Sequence, residues 1–105
     1  MKFGLSLETI NKINSVFLKL SEVEEVIIYG SRAKGNFRSG SDIDISLKGK
    51  NLNGNVLNII IGKIDDLNTP YLFDISIFED LKSPELTEHI NRVGQVFYHI
   101  SSRNQ

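Results

Sequence analysis

The sequence predicts a mixed α/β (α+β) layer fold formed by a single domain, residues 1–105. Three observations predict it. Amphipathic stretches at helical spacing alternate with short β-branched runs along the chain. Glycine, proline and serine punctuate the junctions. At 105 residues and 11.8 kDa the chain is one domain's worth of sequence. Area scaling gives roughly 5,900 Å² of folded surface against roughly 17,100 Å² unfolded, enough for one core.

The elements follow in order. Ser6 caps a helix over about Leu7 to Leu20, with Ile10, Ile13, Phe17 and Leu20 on one face. Glu24 to Tyr29 is short, β-branched and closed by a glycine, which reads as a buried strand. Residues 30–41 hold three glycines and three serines and form a loop, with a short helical turn opening at Ser31. Asp42 to Leu47 alternates with period two and is a second strand. Val56, Leu57, Ile60, Ile64 and Leu67 give a second amphipathic helix, which Pro70 ends. Tyr71 to Phe78 is a third strand. Ser83-Pro84 opens a third helix, which runs to about Arg92 and stops at Gly94. Val96 to Ile100 is a last strand or docking segment, and the tail from Ser101 to Gln105 frays.

Composition excludes several classes. The net charge is −1, so a broad positive coat for direct DNA binding is not expected. No apolar run approaches the ~20 residues of a membrane helix, and the N-terminus lacks a signal-peptide stretch. The chain has no cysteine, which fits a reducing cytoplasm and removes thiolate chemistry. With two His only, a zinc site would need carboxylates. His89 and His99 have no motif neighbours and are assigned to surface or structural roles.

The polar residues on apolar strands carry the chemistry. Asp42 and Asp44 are two apart and share a strand face, with Ile43 and Ile45 on the other. Two carboxylates drawn to within ~5 Å repel by about 3 kcal/mol at an effective dielectric of 20. A divalent cation turns that cost into attraction, and Mg²⁺ takes carboxylate and phosphate oxygens. The bland alternative is a solvated strand face, which a lone Asp-x-Asp favours. Asp74 lies between Phe73 and Ile75 in a strand type that disfavours Asp. If its strand neighbours that of Asp44, three carboxylates converge; otherwise it is an edge residue or a partner for Arg32 or Arg92. Gly30-Ser31 follows a strand, where a glycine turn and free N–H groups suit a phosphate. It is equally a capped strand-to-helix turn. Arg32, Lys34, Arg38, Lys48 and Lys50 surround the acids as one basic segment, which suits a nucleotide triphosphate with its metal or serves solubility.

Together, Gly30-Ser31, ten intervening residues and Asp42-Ile43-Asp44 resemble the signature of the DNA polymerase β-like nucleotidyltransferases, and more narrowly of the minimal nucleotidyltransferases (MNT). The later Asp74 and the segment from Pro84 to Phe97 are similar to that family too. The resemblance implies the nucleotidyltransferase fold, a mixed, mostly antiparallel sheet of about four strands packed against three helices. It implies that Asp42, Asp44 and Asp74 are catalytic and hold two Mg²⁺ ions, although oxygen ligands accept Mn²⁺ as well. Gly30 and Ser31 would hold the β- and γ-phosphates of ATP. Arg32 would either neutralise the leaving pyrophosphate or pair structurally across the loop. Larger family members carry a further helical region for the acceptor, and this chain stops soon after its last strand. The resemblance therefore implies a HEPN-type helical toxin as partner, silenced by AMP on a tyrosine, with this chain as cytoplasmic antitoxin. Rivals are a non-catalytic antitoxin that blocks its partner by stoichiometric binding, and a small-molecule nucleotidyltransferase completed by a helical partner. Homo-oligomerisation is open. Phe97, Tyr98 and Ile100 either face a partner or pack in the core, as apolar stripes usually do.

Overall fold

Local capping chemistry sets where the helices begin. In the computed structural model, which describes residues 1–101, helix α1 spans Leu7–Leu18. The Ser6 hydroxyl accepts the Thr9 N–H at 3.1 Å, which satisfies one orphan donor of the first turn. Strand β1 is Glu25–Tyr29, and the single-turn helix α2 is Ser31–Lys34. Strand β2 is Ile43–Lys48 and helix α3 is Gly54–Asp65. Helix α3 starts earlier than its apolar periodicity suggests, because the Asn53 carboxamide accepts the Val56 N–H at 3.0 Å. Strand β3 is Phe73–Ile77, followed by a 3-10 turn at Phe78–Asp80. Helix α4 is Pro84–Val93, capped by Ser83 with Pro84 in its first turn, and strand β4 is Gln95–His99. The four helices, with α2 as the one beyond the three expected, and the mixed sheet make an α+β fold. Of the tail expected to fray from Ser101, residues 102–105 lie outside the described residues, and the Ser101 N–H donates to His99 Nδ1.

The sheet runs β3-β2-β1-β4. β1 is antiparallel to both β2 and β4, while β2 and β3 are parallel. A parallel pair needs a crossover between its strands, and α3 is that crossover. One face of the sheet is apolar and takes α1 and α3. Val26, Ile28, Ile43, Ile45 and Leu47 meet Ile13, Phe17, Ile60 and Ile64 there, all buried. The other face takes α4 over β1, where Ile27 and Tyr29 pack on Ile90 with Phe78, Leu81 and Leu86 around them. A bulge between Val26 and Ile27 shifts the β1–β4 register. Phe97 and Tyr98 belong to the core, not to a partner surface: Phe97 packs on Phe3 and Tyr98 on Phe17, with ring centroids 5.9 and 5.5 Å apart.

Gly94 stops α4 as the sequence suggests, but not by a left-handed turn. Its backbone is extended, at φ −65° and ψ 148°. What it needs is space: a Cβ there would collide with the Ile90 carbonyl and the Ile27 side chain. Gly62, in the exposed part of α3, has nothing within 4 Å of a Cβ. Gly62→Ala should therefore stabilise the protein by roughly 0.5–1 kcal/mol, the usual gain of Ala over Gly inside a helix. Gly94→Ala should destabilise it, because α4 must move off β1. Urea unfolding of the two variants checks both signs.

Candidate active site

Strand register builds the site. In β1, β2 and β3, Tyr29 pairs with Asp44 and Asp44 with Asp74. Directly paired residues share a sheet face, so the three side chains form one row on the α4 face. Adjacent strands are roughly 4.8 Å apart, which puts the two carboxyl groups side by side. The next row on this face is Ile27, Ser46 and Ser76. The Ser76 hydroxyl donates to Ser46 Oγ at 3.0 Å. The Tyr29 phenol reaches across β2 toward Ser76, whose hydroxyl acts on it.

Asp42 lies just before β2 rather than in it, and is exposed. It is still close enough for its charge to act on Asp44. Asp44 is the half-buried member, and its carboxyl is raised above the ordinary value. Burial is the main cause, followed by the charges of Asp74 and Asp42, with His89 opposing them. The arginines weighed as partners for Asp74 are engaged elsewhere. Arg92 pairs with Glu88 one turn back on α4. Arg32 donates to backbone carbonyls.

Arg32 was open between a phosphate ligand and a structural partner across the loop, and it is 3% exposed. Its Nε and one terminal nitrogen donate to the Ser41 carbonyl at 3.1 and 2.8 Å, and the other terminal nitrogen donates to the Phe3 carbonyl at 2.9 Å. Its guanidinium also lies over the Phe37 and Tyr71 rings, at 5.2 and 4.9 Å from their centroids. All of this turns it away from solvent and toward the loop that carries Asp42. The basic segment is likewise not one patch. Lys48 is four residues along β2 from Asp44, about 13 Å at 3.3 Å per residue, and its ammonium lies over Phe78. Lys50 lies past the same far end of β2.

Gly30 joins the turn to the acids. Its φ is +74°, in the left-handed region, and a Cβ there would stand 2.5 Å from Asp44 Oδ2. Only glycine lets the turn and the carboxylate approach so closely. Ser31 follows as the first residue of α2. A phosphate held at the Gly30–Ser31 turn would thus lie next to Asp44.

The family motif did not reveal His89. Its ring meets Tyr29 edge-on, with centroids 6.2 Å apart, and its field reaches Asp44. Helical spacing carried the signal, since His89 is three residues after Leu86 and four before Val93 on the inward stripe of α4. Ser46 and Ser76 were legible in the same way, two residues beyond Asp44 and Asp74.

A divalent cation suits the chemistry of these donors, which are all hard carboxylate oxygens crowded around Asp44. Among the described residues, no three His, Cys, Asp or Glu side chains are grouped so that they could hold an ion by themselves. Mg²⁺ does not require such a cage. It is commonly bound by one or two carboxylates and completed by substrate phosphates and water.

The family model that matches this chain is that of polymerase beta, nucleotidyltransferase, over residues 11–103. The chain belongs to that nucleotidyltransferase family. Solved structures agree in fold. A chain of a toxin–antitoxin structure with AMP-PNP superposes with TM-score 0.68 at 17% identity, covering 90% of this chain and 77% of that one. A chain of the toxin–antitoxin MntA-HepT gives 0.65 at 15%, covering 92% and 75%. A structure of tri-AMPylated Shewanella oneidensis HEPN toxin in complex with MNT antitoxin gives 0.64 at 15%, covering 92% and 75%. Identities this low establish likeness of fold. A comparison with curated proteins finds no match.

The raised Asp44 carboxyl makes a testable claim about stability. A proton binds Asp44 more tightly in the folded chain than in the unfolded one. Its contribution therefore favours folding at low pH and is lost as pH rises through the raised value. Asp44→Asn should increase the thermal midpoint near pH 7 in metal-free buffer, and the increase should shrink as wild-type Asp44 protonates. Thermal unfolding of both proteins between about pH 4 and 7 in EDTA checks the sign.

Proposed function

We propose that this protein is a metal-dependent nucleotidyltransferase that moves AMP from ATP to a hydroxyl of a HEPN-type partner, a tyrosine, and so acts as its antitoxin. The observation that carries the reading is the in-register pair Asp44–Asp74 beside the Gly30 turn. Paired acids with no arginine between them, next to a turn able to receive phosphate, suit in-line displacement at phosphorus. The fold neighbours that hold AMP-PNP, or a HEPN toxin carrying AMP, support the choice of nucleotide and partner.

The roles follow from position. The Gly30–Ser31 turn binds the β- and γ-phosphates through backbone N–H groups and the Ser31 hydroxyl. Asp42 and Asp44 would hold Mg²⁺, which when bound supplies positive charge to the phosphate oxygens in the transition state. Asp74, exposed at the far end of the row, accepts the proton of the incoming hydroxyl. The hydroxyl oxygen forms a bond to the α-phosphorus. The bond from that phosphorus to the bridging oxygen breaks, and pyrophosphate leaves with the electron pair. Tyr29, and Ser76 bonded to Ser46, steady the floor beneath Asp44 and Asp74. His89 brings a polar ring to the roof of the site from α4. No Ser or His nucleophile is needed, because positioning and charge stabilisation supply the rate.

The direct test is the intact mass of a HEPN-type toxin after incubation with this protein, ATP and Mg²⁺. One or more AMP units should appear, and none with the Asp42→Asn/Asp44→Asn double variant. A stable, nucleotide-independent complex with no mass gain would replace this reading with a stoichiometric antitoxin. The metal has its own test without turnover. Mg²⁺ with a non-hydrolysable ATP analogue should raise the thermal midpoint of the wild type by mass action, and should leave the double variant nearly unmoved.

A further inference from the structure

A triphosphate brings several negative charges to a site that already holds carboxylates. The cations that the sequence gathers nearby do not offset them from fixed positions. Arg32 is buried on backbone carbonyls, Arg92 pairs with Glu88, and the Lys48 ammonium lies over Phe78. Lys34 and Arg38 are exposed, and among the described residues no side-chain hydrogen bond or ion pair holds either one. A fixed side-chain donor for phosphate, beyond the Ser31 hydroxyl, has to come from another element.

Helix α4 brings one. His89 lies one turn after Leu86 and beside Ile90, which packs on Ile27 and Tyr29. The His89 ring stands edge-on to Tyr29, with centroids 6.2 Å apart and planes at 83°. Tyr29 pairs with Asp44 and is the residue immediately before Gly30. The Asp44 carboxylate in turn lies against Gly30, where a Cβ would stand 2.5 Å from Oδ2. His89 thus stands over the join between the glycine turn and the first buried acid. Its charge acts on Asp44 in opposition to the neighbouring acids.

The ring has donors to offer. Among the described residues, neither nitrogen of His89 has a hydrogen-bond partner. The other histidine differs, because His99 Nδ1 is engaged by Ser101. Imidazole carries one N–H when neutral and two when protonated, so a donor is present in either state. Contact with Tyr29 holds the ring in place before any ligand arrives, which lowers the ordering cost of binding.

We infer that His89 is a substrate-binding residue of this site, its imidazole N–H donating to the β- or γ-phosphate of the nucleotide at the Gly30–Ser31 turn. The inference rests on the proposed function, which puts the nucleotide there. Two elements then hold the same phosphates, the turn after β1 and the inward face of α4. Those phosphates depart together as pyrophosphate. The His89 donor therefore also faces the charge left on the bridging oxygen when its bond to the α-phosphorus breaks.

The chain has two histidines, so isotopic labelling of histidine nitrogen gives two sets of imidazole signals, with His99 as internal control. Saturating Mg²⁺ with AMP-PNP should shift the His89 ring nitrogens in the wild type and leave those of His99 in place. His89→Phe keeps an aromatic ring against Tyr29 and removes the donor. Calorimetric titration should show it binding AMP-PNP with Mg²⁺ about tenfold or more weakly, as loss of a hydrogen bond to a charged group does. His89→Gln or His89→Asn returns an N–H and should recover most of that loss. A ring that only packs gives the opposite order, with His89→Phe the best tolerated. Unmoved His89 signals, wild-type affinity in His89→Phe, or a loss that neither amide recovers would each overturn the inference and leave the transferase reading standing. A wild type that does not bind AMP-PNP with Mg²⁺ would remove the premise and the inference with it.

Discussion

The parallel pairing of β2 with β3 is the constraint on which the site depends. It sets Asp44 directly beside Asp74, a repulsive arrangement that neither residue would choose. The opposite face of the same two strands holds them there. Ile43, Ile45 and Leu47 are buried against the helices, with Phe73 and Ile75 packed on the same cluster. A slip of one residue would turn those side chains out and the aspartates in, so the hydrophobic pattern locks the register. The apolar face thus supplies the stability that offsets charge crowding on the polar face.

Arg32 acts on the same problem from the loop side. It holds the Ser41 carbonyl, one residue before Asp42, and reaches back to the Phe3 carbonyl near the N-terminus. Its two aromatic neighbours come from the site loop and from the approach to β3. A buried guanidinium in this role is costly unless its donors are satisfied, and three of its N–H groups have carbonyl partners here. The positive charge is consequently turned to loop geometry. Gly30 connects the two ends of the arrangement, because its missing side chain is what lets Asp44 lie against the turn.

Much of this was legible along the chain. The caps Ser6 and Ser83, the period-two run after Asp42 and the breaker Pro70 are local signals, and they locate most elements to within a few residues. Asn53 was equally local but was hidden by a weakly apolar first turn of α3. Asp44 and Asp74 stood out because carboxylates are rare among isoleucines in a strand. The direction taken by Arg32 was not legible, since its partners Phe3 and Tyr71 are distant in sequence. The division of the basic segment was hidden too. Lys48 and Asp44 look close in sequence, yet an extended strand carries them to opposite ends.

By itself, then, the sequence determined the elements, the candidate acids, the glycine turn and the resemblance to nucleotidyltransferases. These depend on periodicity, residue type and short spacing, which the chain carries locally. Only the tertiary structure decided that β2 and β3 are neighbours in this register and that Arg32 braces a loop. It also decided that His89 meets Tyr29 across the site. Each of those is a contact between segments far apart in the chain. Burial of the sheet's two faces selects such contacts, and no local pattern encodes which distant partner that burial will bring.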